Sequence, residues 1–114
     1  MIETEQINNL LGKTVELLCF AQYSMNIHFE GDIHLTMEGD FEHVHGEPPS
    51  VDLTDFPISQ SSLMGILQCS VTSASINANG DLHLIFSNGD SLRKDKHPAY
   101  EGFWLRIGKD EFFP

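Results

Sequence analysis

The stretch Met25-Asn26-Ile27-His28-Phe29-Glu30-Gly31-Asp32-Ile33-His34-Leu35-Thr36-Met37-Glu38 decides the fold. Met25, Ile27 and Phe29 alternate with Asn26, His28 and Glu30, and Ile33, Leu35 and Met37 alternate with His34, Thr36 and Glu38. A period of two turns one face of a strand into a core and the other into water. Glu30-Gly31-Asp32 between the two runs is turn chemistry, because glycine takes positive φ without steric penalty. The segment predicts a β-hairpin with one apolar face.

The pattern returns further along. Leu82-His83-Leu84-Ile85-Phe86-Ser87-Asn88-Gly89-Asp90-Ser91-Leu92 carries its own turn at Asn88-Gly89-Asp90. A shift of 57 positions lays Met25, Ile27, Phe29 and Leu35 on Leu82, Leu84, Phe86 and Leu92. Leu11-Gly12 and Leu63-Met64-Gly65 precede the two runs at nearly the same spacing. The shared order of helix end, strand, hairpin and acidic–aromatic segment predicts an internal duplication. The units span about 3–45 and 56–107, with a loop at about 46–55. Gly46-Glu47-Pro48-Pro49-Ser50-Val51-Asp52 is read as that loop, having two prolines and no periodicity.

Asn79-Gly80-Asp81 predicts a further turn, between a strand near 68–77 and one at 81–87. Val15 to Phe20 is almost continuously apolar, which predicts a strand covered on both faces. A short helix is expected from about Glu3 to Leu11, with acids at its positive end, Ile7, Leu10 and Leu11 on one face, and Gly12 as its stop. A second is expected after Asp55-Phe56-Pro57, ending near Gly65 with Leu63 and Met64 turned inward. The expected class is α+β, mostly antiparallel β, with two related β units each preceded by a short helix. All 114 residues fall in one domain.

Composition narrows the function. The chain is 40% hydrophobic with 10% aromatics, too apolar for a disordered polymer. Seventeen Asp and Glu against six Lys and Arg give a net charge of −11. That balance argues against nucleic acid, whose phosphates require basic residues, and against an anionic membrane surface. It favours a cationic partner. No Lys or Arg occurs in the 79 residues from Thr14 through Leu92, which hold 11 acids. The acids are densest from Glu30 to Asp55, and five of the six basic residues follow that stretch. The reading is a negative first unit and a second unit that keeps the bases. Acids at the N-terminus and the lack of an apolar run point to a cytoplasmic chain. Cys19 and Cys69 lie in expected strands, without ligand spacing, and are read as small buried hydrophobes.

Candidate chemistry is sparse. His28 and His34 flank the first turn and should face each other on the wet side. His43 and His45 repeat the pair at strand spacing beside Glu42 and Glu47. Imidazole with carboxylate is an ordinary ligand set for a divalent metal, yet exposed polar alternation produces the same pairs. These four histidines are therefore weak metal candidates. His83 and His97 are isolated. Asp40 and Glu42 have the spacing of an acid/base pair, which strand alternation also yields. Nucleophile-elbow, phosphate-loop and zinc-protease motifs are absent, and Ser59, Ser61 and Ser62 read as helix-capping hydroxyls. No catalytic residue and no cofactor is assigned. Tyr100, Phe103 and Trp104 form an aromatic cluster read as core. Phe112-Phe113-Pro114 is an apolar tip that either folds back or meets a partner, such as a second copy of the chain.

Cys19-Phe20-Ala21-Gln22-Tyr23-Ser24-Met25-Asn26-Ile27-His28-Phe29, Met37-Glu38-Gly39-Asp40-Phe41-Glu42 and the Leu82–Leu92 segment resemble a family of small, uncharacterised bacterial proteins. That family closes with a Tyr-Glu-x-Trp element, which here is Tyr100-Glu101-Gly102-Phe103-Trp104, one residue longer. The likeness covers about Leu10 to Ile107, and its motifs are structural. Such proteins look like members of toxin–immunity neighbourhoods, including contact-dependent inhibition systems. The resemblance, with the charge, implies a non-catalytic immunity protein that neutralises a cationic toxin domain of nuclease type. Its expected contacts are Glu38, Asp40, Glu42 and Glu47, with Phe41 as an aromatic anchor. The alternative is a small-ligand or metal-binding module using surface histidines.

Overall fold

The computed structural model describes residues 2–54, 62–96 and 102–114. The start of the second expected helix, Ser59, Ser61, His97 and Tyr100-Glu101 lie outside the described residues. The chain opens with α1 (Thr4–Ile7), prolonged by a 3-10 turn at Asn8–Leu10. Then come β1 (Val15–Phe20), β2 (Ser24–Phe29), β3 (Ile33–Glu38), β4 (Phe41–His45) and β5 (Ser50–Thr54). A second 3-10 segment, Ser62–Ile66, precedes β6 (Val71–Ile76), β7 (Leu82–Phe86), β8 (Ser91–Lys94), β9 (Phe103–Ile107) and β10 (Asp110–Phe112). The fold is mostly antiparallel β: two five-stranded sheets, ordered β1-β2-β3-β9-β10 and β5-β4-β8-β7-β6.

That order shows a duplication whose halves exchange their last hairpins. Each half contributes three consecutive strands to one sheet and its final two strands to the other. β1, β2 and β3 correspond to β6, β7 and β8. β4 and β5, in the second sheet, correspond to β9 and β10 in the first. Registers agree. β1 and β6 are both bulged near their starts, between Val15/Leu17 and between Val71/Ser73. Leu35 pairs with Leu105 in one sheet, and Leu92 pairs with His43 in the other.

The halves meet where β1 and β6 begin. Val15 N–H donates to Cys69 O at 2.8 Å, and Val71 N–H donates to Lys13 O at 3.0 Å. Gly12 N–H reaches Val71 O at 2.8 Å, and Gln68 N–H reaches Val15 O at 2.9 Å. The mirrored caps continue outward: Thr14 N–H bonds Glu30 Oε1 as Ser70 N–H bonds Ser87 Oγ. The chain turns into each crossing through positive φ, 76° at Gly12 and 69° at Gln68.

Alternation places the inward residues of both sheets in one core. Met25, Ile27, Phe29, Leu35, Met37, Phe103 and Leu105 face Phe41, Leu82, Leu84, Phe86 and Leu92, all 2% exposed or less. Ile7 and Leu10 close it beside the first crossing, and Leu63 and Ile66 do so beside the second. The C-terminal tip folds back: Ile2 N–H bonds Phe113 O, and Phe112 packs on the core.

Several expectations are corrected. The stretch read as a loop contains β5, which pairs with β4 along its length from Phe41↔Thr54 to His45↔Ser50. Its alternation was inverted, since Val51 and Leu53 point outward at 61% and 65% exposure. β1 is an edge strand with Leu17 48% exposed, not a strand covered on both faces. The first helix is one α turn and a 3-10 turn rather than a helix to Leu11. Met64 faces solvent. Cys19 is exposed on the outer face of β1, and Cys69 precedes β6. Phe103 is core, whereas Trp104 is half-buried on the outer face beside Phe113.

The unequal φ partners give a test. A non-glycine residue at positive φ is strained, and glycine relieves that strain at some entropic cost. Gln68→Gly should raise stability by about 0.5–1 kcal/mol, whereas Gly12→Ala should lower it by about 1 kcal/mol. Urea unfolding of both variants measures this, and opposite signs are expected.

Candidate functional site

The inward face of β4 should be apolar throughout, but only Phe41 is. His43 follows at 0% exposure. Its Nε2 lies 2.8 Å from Asp90 Oδ2, and its Nδ1 lies 2.7 Å from Ser62 Oγ. Asp90 is itself buried at 7%, and its backbone N–H is held by Asn88 Oδ1 in the tight turn before β8. His45 stacks on His43 with ring centroids 4.9 Å apart, and its Nε2 meets Asp52 Oδ2 at 2.9 Å. Asp52 is directly opposite His43 across the β4–β5 pair. The Ser62 hydroxyl, and secondarily His45, hold the Asp52 carboxyl below the usual carboxylate range. One continuous relay therefore runs Asp90–His43–Ser62–Asp52–His45.

The duplication supplies an internal control. In the other half Leu105 occupies the position of His43 and Ile107 that of His45. Phe112 stands opposite Leu105 as Asp52 stands opposite His43. Ile33, two residues before Leu35, matches Asp90, two residues before Leu92. Ile33 and Leu105 are buried, and Ile107 and Phe112 pack on the core. The same backbone is thus filled by apolar side chains at one end and by two imidazoles and two carboxylates at the other. Packing in the other half is met at these positions by apolar side chains alone.

The carboxylate of Asp90 can only accept, so His43 Nε2 carries a proton toward it, and Nδ1 is the ring nitrogen that meets Ser62 Oγ. The Ser62 hydroxyl at that nitrogen also meets the Asp52 carboxylate. Ligand atoms of His43, His45 and Asp52 lie within 4.8 Å of one another. A Ser-His-Asp set is also present by residue type, but its arrangement opposes nucleophilic use. His43 is fully enclosed, and the Asp52 carboxylate touches the same hydroxyl, where it would repel an oxyanion.

The remaining sequence candidates disperse. His28 and His34 do face each other across β2 and β3, with centroids 4.1 Å apart. His34 meets Asp32 at 3.1 Å, and Arg106 from β9 stands opposite His34. His43 is not an exposed residue of an alternating strand, and Phe41 at 2% exposure is core and cannot anchor a partner. Glu42 lies opposite Arg93 across β4 and β8, and the backbone carbonyl of Asp40 accepts from Lys94 Nζ. Glu38 ends β3, and Glu47 sits exposed at the β4–β5 turn. The charge halves also mix. Hairpin exchange lays acidic β4 beside basic β8, and Arg106 of β9 beside β3. Asp90, Asp52 and Ser62 were missed as site residues. Extending the 57-residue shift by comparing Ile33 with Asp90 would have exposed the first of them.

Two predictions follow from these environments. Asp90→Ala strands a buried imidazole and should cost about 2–3 kcal/mol in urea unfolding. Copying the apolar end, with His43→Leu, His45→Ile, Asp52→Phe and Asp90→Ile together, should cost less than about 1 kcal/mol or stabilise. Equal loss in both variants would mean that the fold needs the relay. Separately, burial, His34 and Arg106 push the His28 pKa below its ordinary value. The unfolded chain then takes up that proton first, so stability should fall as pH drops through about 6.5. His28→Gln should flatten that fall in a pH series of thermal melts.

Among the described residues no helix is long and apolar enough to cross a membrane. No curated protein and no solved structure matches the chain. Residues 6–113 match the model of a family described as a family of unknown function (DUF6188), and the chain belongs to that family.

Proposed function

We propose that this chain is a non-catalytic binding protein of immunity type, acting in the cytoplasm by capturing a cationic protein domain such as a toxin nuclease. Its docking element is the β4–β5 hairpin. One observation carries this reading. Among the described residues no strand pairs with the outer side of β5, which presents Val51 and Leu53 at 61% and 65% exposure, on a hairpin whose only formal charges are Glu42, Glu47 and Asp52. Exposed apolar side chains on an open edge are uncommon in a protein that must stay monomeric. Strand addition to such an edge is a recurrent mode of protein recognition. The acidic flanks and the net charge of −11 would steer a basic partner toward it.

The expected contacts move accordingly. Val51 and Leu53 replace buried Phe41 as the apolar anchor. Glu42 and Asp40 line one cleft with Leu53, Glu47 sits at the β4–β5 turn, and Glu38 ends β3. The test is co-purification with the protein encoded by the adjacent open reading frame, and protection of cells expressing it. A salt-sensitive complex is expected, weakened about tenfold by Leu53→Ser. Absence of both complex and protection overturns the reading.

A further inference from the structure

The relay at the base of the β4–β5 hairpin has the parts of a transition-metal centre, and we infer that it binds a divalent ion of the zinc type. The ligands are His43 through Nδ1, His45 through Nε2 and Asp52 through a carboxylate oxygen. This inference does not depend on any protein partner.

Three independent features support it. The ligand atoms already lie within 4.8 Å of one another, whereas a tetrahedral zinc with bonds near 2.1 Å needs donors about 3.4 Å apart. His45 and Asp52 are partly exposed, at 31% and 48% of their side chains, and are free to close that gap by small rotations. The second feature is Asp90. A metal-binding histidine almost always donates its other ring N–H to a carboxylate or carbonyl, which fixes the tautomer and raises ligand basicity. Buried Asp90 does this at His43 Nε2, at 2.8 Å. The third is the internal control: the equivalent end of the fold carries Ile33, Leu105, Ile107 and Phe112, so packing alone does not explain the polar set.

Two imidazoles and one carboxylate suit zinc, nickel, cobalt or copper, and suit magnesium and calcium poorly. Three protein ligands leave a fourth position, beside the Ser62 hydroxyl that now contacts His43 Nδ1. Solvent reaches the site along the half-exposed side of Asp52. The other histidine pair, His28 and His34, has no comparable third ligand among the described residues.

The experiment is titration of the full chain with zinc chloride by calorimetry, alongside thermal melts and the visible spectrum with cobalt(II). Expected are one zinc per chain, a raised melting temperature, no response to magnesium, and the absorption of a four-coordinate cobalt site. His45→Ala and Asp52→Ala, both at the exposed rim, should fold normally by circular dichroism and weaken zinc at least about tenfold. Asp90→Asn should also weaken it, without removing a ligand. His28→Ala should leave affinity unchanged. Zinc binding that survives the His45→Ala/Asp52→Ala double variant overturns the inference, as does failure of the unaltered chain to bind zinc or cobalt.

Discussion

Everything in this structure hangs on a short crossing of backbone. Residues 12–15 and 68–71 exchange hydrogen bonds in reciprocal pairs, with Val15 and Val71 each bonded to the other segment. The crossing runs from exposed Gly12 and Gln68 to buried Val15 and Val71, where an unpaired amide would cost its desolvation. The crossing fixes where β1 and β6 start, and therefore which way each three-stranded run grows. The two runs then expose inward apolar faces with free edges at β3 and β8. Each edge is completed by the last hairpin of the other half. Exchange makes neither half complete alone, because each sheet takes its fourth and fifth strands from the other half.

The exchange also sets the electrostatics. In sequence, acids and bases are segregated. In space, β4 brings Glu42 against Arg93 of β8, and β9 brings Arg106 against the strand that follows Asp32. The outer part of the β4–β5 hairpin stays exposed. Its alternation runs against expectation: Ser50 and Asp52 share the face of His43, and Val51 and Leu53 share the face of Glu42 and Val44. A hairpin that turns its carboxylate inward and its valine and leucine outward is shaped by something other than burial of apolar area.

Alternation made the two central hairpins, their turns and most of the core legible in advance, because a period of two has one physical meaning when one face is buried. Met25, Ile27, Phe29, Leu82, Leu84 and Phe86 all face inward. Helix and strand limits near Leu11 and Leu17 were less legible, since they depend on which strand occupies a sheet edge. β5 was hidden by Pro48-Pro49 and by its inverted pattern. The candidate site was half visible. His43 and His45 stood out by residue type, but their partners Asp90, Ser62 and Asp52 come from three other places in the chain. Only tertiary structure brings them together. Burial of His43 could not be read locally, because the same alternation describes an exposed histidine.

A duplicated fold offers a way to separate structural from functional demand within one chain. Where both halves carry apolar residues, as at Leu35 and Leu92 or Phe41 and Phe103, the common requirement is packing. Where they differ, packing cannot be the reason for the difference. Burying His43 and Asp90 in place of Leu105 and Ile33 gives up apolar contact and requires two polar groups to be desolvated. A buried hydrogen-bonded pair of this kind at best balances the hydrophobic residues it replaces. The polar end gains no stability that the apolar end lacks. It gains a histidine held at Nε2 by Asp90 and at Nδ1 by the Ser62 hydroxyl, beside Asp52 and His45. That arrangement leaves the partly exposed side chains of His45 and Asp52 at the open side, next to the outer strand β5.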